Sequence, residues 1–101
     1  MGILDVIFGN STNQLLEYLN KGAAILDVRT DAEYYSNHID NAIHIPLQEL
    51  EYRVDEVKKL KKPVVVYCAS GMRSANASRF LVANGIDAIN GGGIAKVRSV
   101  L

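Results

Sequence analysis

The sequence predicts an α/β fold: a three-layer sandwich with a central, mostly parallel sheet of about five strands and helices on both faces. Three observations carry that prediction. Short apolar runs alternate with segments whose apolar residues recur at helical spacing, the pattern of repeated strand–helix–strand units. One run, Pro63-Val64-Val65-Val66-Tyr67, has a β-branched centre, as suits a strand buried on both faces. The chain has 101 residues, 49% of them apolar and 22% charged, values ordinary for a globular domain. A domain of this size, residues 1–101, can bury about two-thirds of its extended surface without disulfide staples.

Taken in order, Asn10 or Ser11 is placed to cap a first helix with Leu15, Leu16 and Leu19 on one face, ending at Gly22. Ala23 to Val28 is an apolar run of strand length. Thr30-Asp31-Ala32-Glu33 fits a capping box and starts a short helix through Tyr34 and Tyr35. Ala42 to Ile45 alternates like a short strand and stops at Pro46. Leu47, Leu50, Val54, Val57 and Leu60 keep helical spacing up to about Lys61. After the strand at Pro63–Tyr67, a helix is expected from Ser74 to Gly85, then a last short strand at Ile86–Ile89. Gly91-Gly92-Gly93 reads as a turn, and Ile94, Val97 and Leu101 as the apolar face of a terminal helix.

The charge balance excludes some functions. Eleven basic and eleven acidic residues cancel, which leaves no electrostatic footprint for nucleic acid or an anionic membrane. Arg53, Lys58, Lys59, Lys61 and Lys62 cluster in one stretch that reads as a solvated helix end. A single cysteine, Cys68, allows no intramolecular disulfide and no cysteine-rich zinc site. No apolar run has the length of a membrane span, and Met1–Gly9 lacks the basic start of a signal peptide, so a cytoplasmic protein with a reduced thiol is expected.

Parallel sheets bind ligands beyond the carboxyl ends of their strands, here after Val28 and after Tyr67. The second place holds the chemistry. A buried strand runs into Cys68, then Ala69, Ser70, Gly71 and Met72 form a short loop, and Arg73 and Ser74 open a helix. A loop that curls into a helix N-terminus turns its backbone N–H groups inward. Those donors, the helix dipole and a guanidinium favour an anion at the centre. A sulfur placed there ionises readily, and the thiolate is the nucleophile. Gly71 allows the turn, and Ser74 is expected to be the helix N-cap.

Three segments together resemble the rhodanese-like sulfurtransferase family, over about Ser11 to Gly93. They are Ile25-Leu26-Asp27-Val28-Arg29 with Glu33-Tyr34, His38-Ile39-Asp40-Asn41-Ala42-Ile43-His44-Ile45-Pro46, and Cys68 to Ser74. The resemblance implies a rhodanese-like fold and sulfur transfer. Cys68 would take the outer sulfur of a donor, thiosulfate or a persulfide, and hold it as a persulfide. Cyanide or a thiol would then remove it, without metal or organic cofactor, in ping-pong fashion. The loop from Ala69 to Ser74 would bind the substrate, and a sulfur-relay protein would be a partner. Asp27 would support the loop backbone near Cys68, Arg29 would pair with Glu33 or a neighbouring carboxylate, and His38 would support the fold.

Four residues separate Cys68 from Arg73, and related phosphatases carry one more, so the loop resembles the sulfur-transfer form. A non-catalytic docking module and a cysteine-dependent phosphatase or arsenate reductase are the alternative readings. Ala69, Ser70, Gly71 and Met72 carry no charge, and Glu33 stands where thiosulfate-specific relatives often have a basic residue. Both features speak against thiosulfate as the physiological donor. His44 is expected to point off the sheet. The family often has a tryptophan after the final glycine turn, where this chain has Ile94 and Ala95.

Overall fold

The computed structural model describes residues 10–101. The Met1–Gly9 segment judged above for a targeting signal lies outside them. The chain runs α1 (Asn10–Asn20), β1 (Ala24–Asp27), α2 (Asp31–Ser36), β2 (Ile43–His44), α3 (Leu47–Lys58), β3 (Val64–Cys68), α4 (Met72–Ala83), β4 (Ala88–Gly93) and α5 (Ile94–Ser99). Four strands, rather than about five, form the sheet among the described residues, in the order β2-β1-β3-β4 with every pair parallel. The chain moves outward from β1 to β2, then returns to place β3 on the other side of β1. That reversal puts the crevice of the sheet at the carboxyl ends of β1 and β3.

Side chains alternate across β3, and this makes two cores. Val64, Val66 and Cys68 pack with Leu50 and Val57 of α3 and Ala77 and Leu81 of α4. Val65 and Tyr67 face the other way, onto Leu15 of α1 and Val97 of α5. Every residue of β3 is fully buried, as its β-branched run requires. In α1, Leu15 is buried and Leu19 packs beside it, but Leu16 is exposed. Ser11 lies within α1 rather than capping it, and its hydroxyl accepts a hydrogen bond from Lys96 at 2.6 Å.

Helix α2 buries no residue, so local bonds must hold it. The capping box forms: the Thr30 hydroxyl accepts the Glu33 amide at 3.2 Å, and Glu33 accepts the Thr30 amide at 3.0 Å. Tyr34 is stacked between two histidine rings, His38 at 3.9 Å and His44 at 4.3 Å. His38 Nδ1 donates to the Tyr34 carbonyl at 2.9 Å and His44 Nε2 to the Arg29 carbonyl at 2.8 Å. His44 is therefore half-buried and ties β2 to the segment after β1, rather than pointing off the sheet.

The three consecutive glycines do not form a turn. They continue β4, which starts at Ala88 rather than Ile86, and the pairing with β3 shifts by one residue between Val66 and Tyr67. A Cβ at Gly91 would fall 2.7 Å from Val65 Cγ1 and 2.9 Å from Val97 Cγ2. The glycine is thus a packing requirement of the α1/α5 core. Gly91→Ala is expected to destabilise the fold by about 2 kcal/mol, the usual cost of overpacking. Urea unfolding checks this, and an unchanged midpoint would refute it.

Candidate functional site

Cys68 is the last residue of β3, and its sulfur lies under the first turn of α4. Gly71 has φ +101°, the left-handed region that glycine adopts without strain, and this lets α4 begin at Met72. Gly71 is the N-cap of α4 and offers no side chain, so the helix lacks the usual side-chain acceptor for its free N–H groups. The Cys68 sulfur fills that role. The Gly71 amide donates to Sγ at 2.9 Å and the Ser74 amide at 3.4 Å, and the Ser70 amide also favours the charged form. Burial pushes the thiol up, but the Ser74 hydroxyl and these three amides outweigh it, and the net effect holds the Cys68 thiol below its usual range.

Ser74 is therefore not the N-cap but the third residue of α4, wholly buried, with its hydroxyl 3.3 Å from Sγ. The same hydroxyl lies 2.6 Å from Asn90 Oδ1 and 3.4 Å from the Gly92 carbonyl. It has one proton for three acceptors. Asn90, which the sequence reading missed, organises this corner. Its Oδ1 also accepts the Gly92 amide at 2.9 Å, and its Nδ2 donates to the Gly71 carbonyl at 3.0 Å. The available signal was a polar residue at the carboxyl end of the strand beside β3. Close approach of β4 to the loop needs Gly93, where a Cβ would lie 2.6 Å from the Ala69 carbonyl oxygen.

Arg73 does not turn its donors to the sulfur. It binds Glu33 with Nη1 to Oε1 at 2.7 Å and Nη2 to Oε2 at 2.9 Å. Arg73 and the Thr30 amide are the main reasons the Glu33 carboxyl drops to about 2, which keeps the pair ionised at neutral pH. The outer face of the loop is uncharged: Ala69 and Ser70 are exposed, and Met72 is 77% exposed. Cys68 itself is fully covered.

Asp27 does not reach the loop backbone. It is the register partner of Tyr67, so its side chain shares the Tyr67 face of the sheet and points away from Cys68. There it binds Arg29, with Arg29 Nη2 2.8 Å and Nε 3.1 Å from Oδ2 and the Arg29 amide 2.9 Å from Oδ1. Arg29 thus pairs with Asp27 while Glu33 takes Arg73, and Arg29 also donates to the Asn37 carbonyl at 2.6 Å. Burial and the Asp27 charge push the Tyr67 phenol up to about 12, so its oxygen stays protonated and accepts the Ile39 amide at 3.2 Å. Asp27 and Arg29 thus hold the Asn37 carbonyl, and His38 stays on the Tyr34 ring at the end of α2. Among the described residues no three His, Cys, Asp or Glu side chains are grouped to hold a metal ion.

The geometry makes the thiol's ionisation depend on Ser74. Ser74→Ala removes the hydroxyl but keeps both amides, and is expected to raise the pH midpoint of Cys68 alkylation. The rate of iodoacetamide labelling against pH measures it, and an unmoved midpoint would show that the backbone alone sets the ionisation.

Comparison with known proteins places this geometry. Residues 11–99 match the family model described as "Rhodanese-like domain". A rhodanese-related protein of known structure from Thermoplasma volcanium is 32% identical, with 87% of each chain covered and a TM-score of 0.73. The thiosulfate sulfurtransferase GlpE of Actinobacillus pleuropneumoniae is 34% identical over 69% of this chain and 64% of its own. The tRNA uridine(34) hydroxylase of Buchnera aphidicola is 34% identical over 85% of this chain and 30% of its own. The chain thus spans less than two-thirds of the length of these two curated relatives. The fold, the loop around Cys68 and a match over nearly the whole described chain lead to one conclusion: the protein belongs to the rhodanese-like domain family.

Proposed function

We propose that this domain is a sulfurtransferase that carries a sulfane sulfur on Cys68. The thiolate attacks the outer sulfur of a donor and the bond to the donor's remaining group breaks. Thiosulfate leaves as sulfite, and an organic persulfide leaves as its thiolate. In both cases the negative charge is conserved and Cys68 becomes a persulfide anion. In the second half-reaction cyanide or a thiolate attacks the outer sulfur, leaves as thiocyanate or a persulfide, and frees the Cys68 thiolate. The scheme uses no metal or organic cofactor, because each step passes charge between sulfur and the groups bonded to it.

One observation carries this reading: the Cys68 sulfur is held by the Gly71 and Ser74 amides at the N-terminus of α4. Such donors stabilise a thiolate and a persulfide anion alike. The four residues between Cys68 and Arg73 favour this chemistry over phosphate or arsenate, which need a wider ring of donors. The relative named a thiosulfate sulfurtransferase supports the same reaction class. A docking module would have no use for a cysteine whose ionisation the helix start favours. The reduced thiol suits a cytoplasmic setting, and a sulfur-relay protein is a fitting donor or acceptor for a loop with an uncharged outer face. No helix among the described residues is long and apolar enough to cross a membrane.

Intact-mass spectrometry tests the proposal. After incubation with a sulfane-sulfur donor, the wild-type protein is expected to gain one sulfur atom and Cys68→Ser none. Cyanide should restore the starting mass and release thiocyanate. A protein that gains no mass with thiosulfate or with an alkyl persulfide overturns the sulfurtransferase reading.

A further inference from the structure

The Ser74 hydroxyl differs from the backbone donors at the Cys68 sulfur: its O–H can rotate away, whereas the Gly71 and Ser74 amides are fixed by the chain. It rotates towards Asn90 of β4. The Asn90 amide has one satisfied orientation. Its Oδ1 accepts the Gly92 amide at 2.9 Å and its Nδ2 donates to the Gly71 carbonyl at 3.0 Å, and turning it over would set donor against donor and acceptor against acceptor. Oδ1 therefore meets the Ser74 oxygen, 2.6 Å away, as an acceptor, and Ser74 is the donor. The Gly92 carbonyl at 3.4 Å is too far from the hydroxyl to compete. One proton thus has two destinations, Asn90 Oδ1 and Cys68 Sγ at 3.3 Å.

We propose that Asn90 is a positioning residue for sulfur transfer: it takes the Ser74 hydroxyl while Cys68 carries a proton or a second sulfur, and yields it when the sulfur is a bare thiolate. The proposal rests on the sulfurtransferase reading and deepens it. As the thiolate attacks, its electron pair forms the new S–S bond. The pair of the broken bond leaves with sulfite or the donor thiolate, and the remaining charge sits on the outer sulfur. The inner sulfur is then a weak acceptor, and the Ser74 O–H swings back to Asn90 with its proton still on Oγ. When the acceptor removes the outer sulfur, the pair returns to Cys68 and the hydroxyl turns to meet it. Without Asn90 the hydroxyl stays on the thiolate, which then forms more readily but gives up its electron pair less readily.

The charged groups on the elements around the sulfur stand outside this exchange. Helix α4 brings Arg73, held by Glu33 of α2, and α5 brings Lys96, whose stem lies over Gly92. Helix α3 turns Leu50 and Val57 to this core, and Asp27 of β1 faces the other side of the sheet. Asn90 is exposed, so replacing it buries no unpaired group of its own.

The test follows iodoacetamide labelling of Cys68 against pH, and sulfur loading by intact mass from thiosulfate and from the persulfide of 2-mercaptoethanol. Asn90→Ala is expected to label about threefold faster than wild type on the acid side of the midpoint, and to load about threefold more slowly on the alkaline plateau. These opposite changes are not those of a loosened loop. Both should vanish when Asn90→Ala is made in Ser74→Ala, because the hydroxyl that couples them is gone. Asn90→Asp, a stronger acceptor, should label about threefold more slowly on the acid side. Changes that persist without the Ser74 hydroxyl, or labelling that shifts the same way in Asn90→Ala and Asn90→Asp, overturn the proposal. If Asn90→Ala does not fold, Asn90→Asp decides, and labelling unchanged or faster than wild type overturns it. Wild type that loads from neither donor removes the sulfurtransferase reading. Wild type that loads normally beside an Asn90→Ala protein with unaltered labelling and loading removes only the role of Asn90.

Discussion

The Gly71 amide pointing at the Cys68 sulfur, 2.9 Å away, joins the stability of α4 to the chemistry of the site. A helix that begins at a glycine has N–H groups to satisfy and no side chain to do it. Here the sulfur accepts them, and the helix in return favours its ionised form. The sign of the linkage follows. Because the net effect on Cys68 is a lowering, its contribution to stability is fully present above the ordinary thiol range and is lost as pH falls through the lowered value. The ionisation of Cys68 and the start of α4 are one interaction seen from two sides.

The alternation of β3 separates two tasks that sit next to each other in sequence. Cys68 faces α3 and α4, while Tyr67 faces α1 and α5. The buried Asp27–Arg29 pair lies on the Tyr67 side, where it anchors the segment after β1 through the Asn37 carbonyl. That segment carries α2, and α2 carries Glu33 to Arg73. The buried ion pair on one side of the sheet and the partly exposed ion pair beside the loop are therefore parts of one scaffold, linked through a helix of six residues that has no buried side chain of its own.

What could be read from the sequence was what local physics decides. The alternation of elements, the Thr30–Glu33 box and the strand–loop–helix around Cys68 depend on spacing within a few residues. The errors fell where distant segments meet. Gly91-Gly92-Gly93 reads as a turn by its backbone freedom, yet contact with Val65, Val97 and the Ala69 carbonyl draws it into β4. Asn90 has no local signature, because its importance comes from lying beside Ser74 and Gly71 across the β3–β4 register. Asp27 stands at the right end of the right strand, but only its pairing with Tyr67 reveals that it faces away from the sulfur. Arg73 reads as a free cation until the fold brings Glu33 to it from forty residues away.

Cys68 is fully covered although the residues after it are exposed, and it ends the strand flanked on both sides by others. A central strand is the part of a sheet that opens least, and a short surface loop the part that opens most. Any reagent larger than a proton meets the Cys68 sulfur only if the exposed residues after it move while β3 holds the sulfur in place.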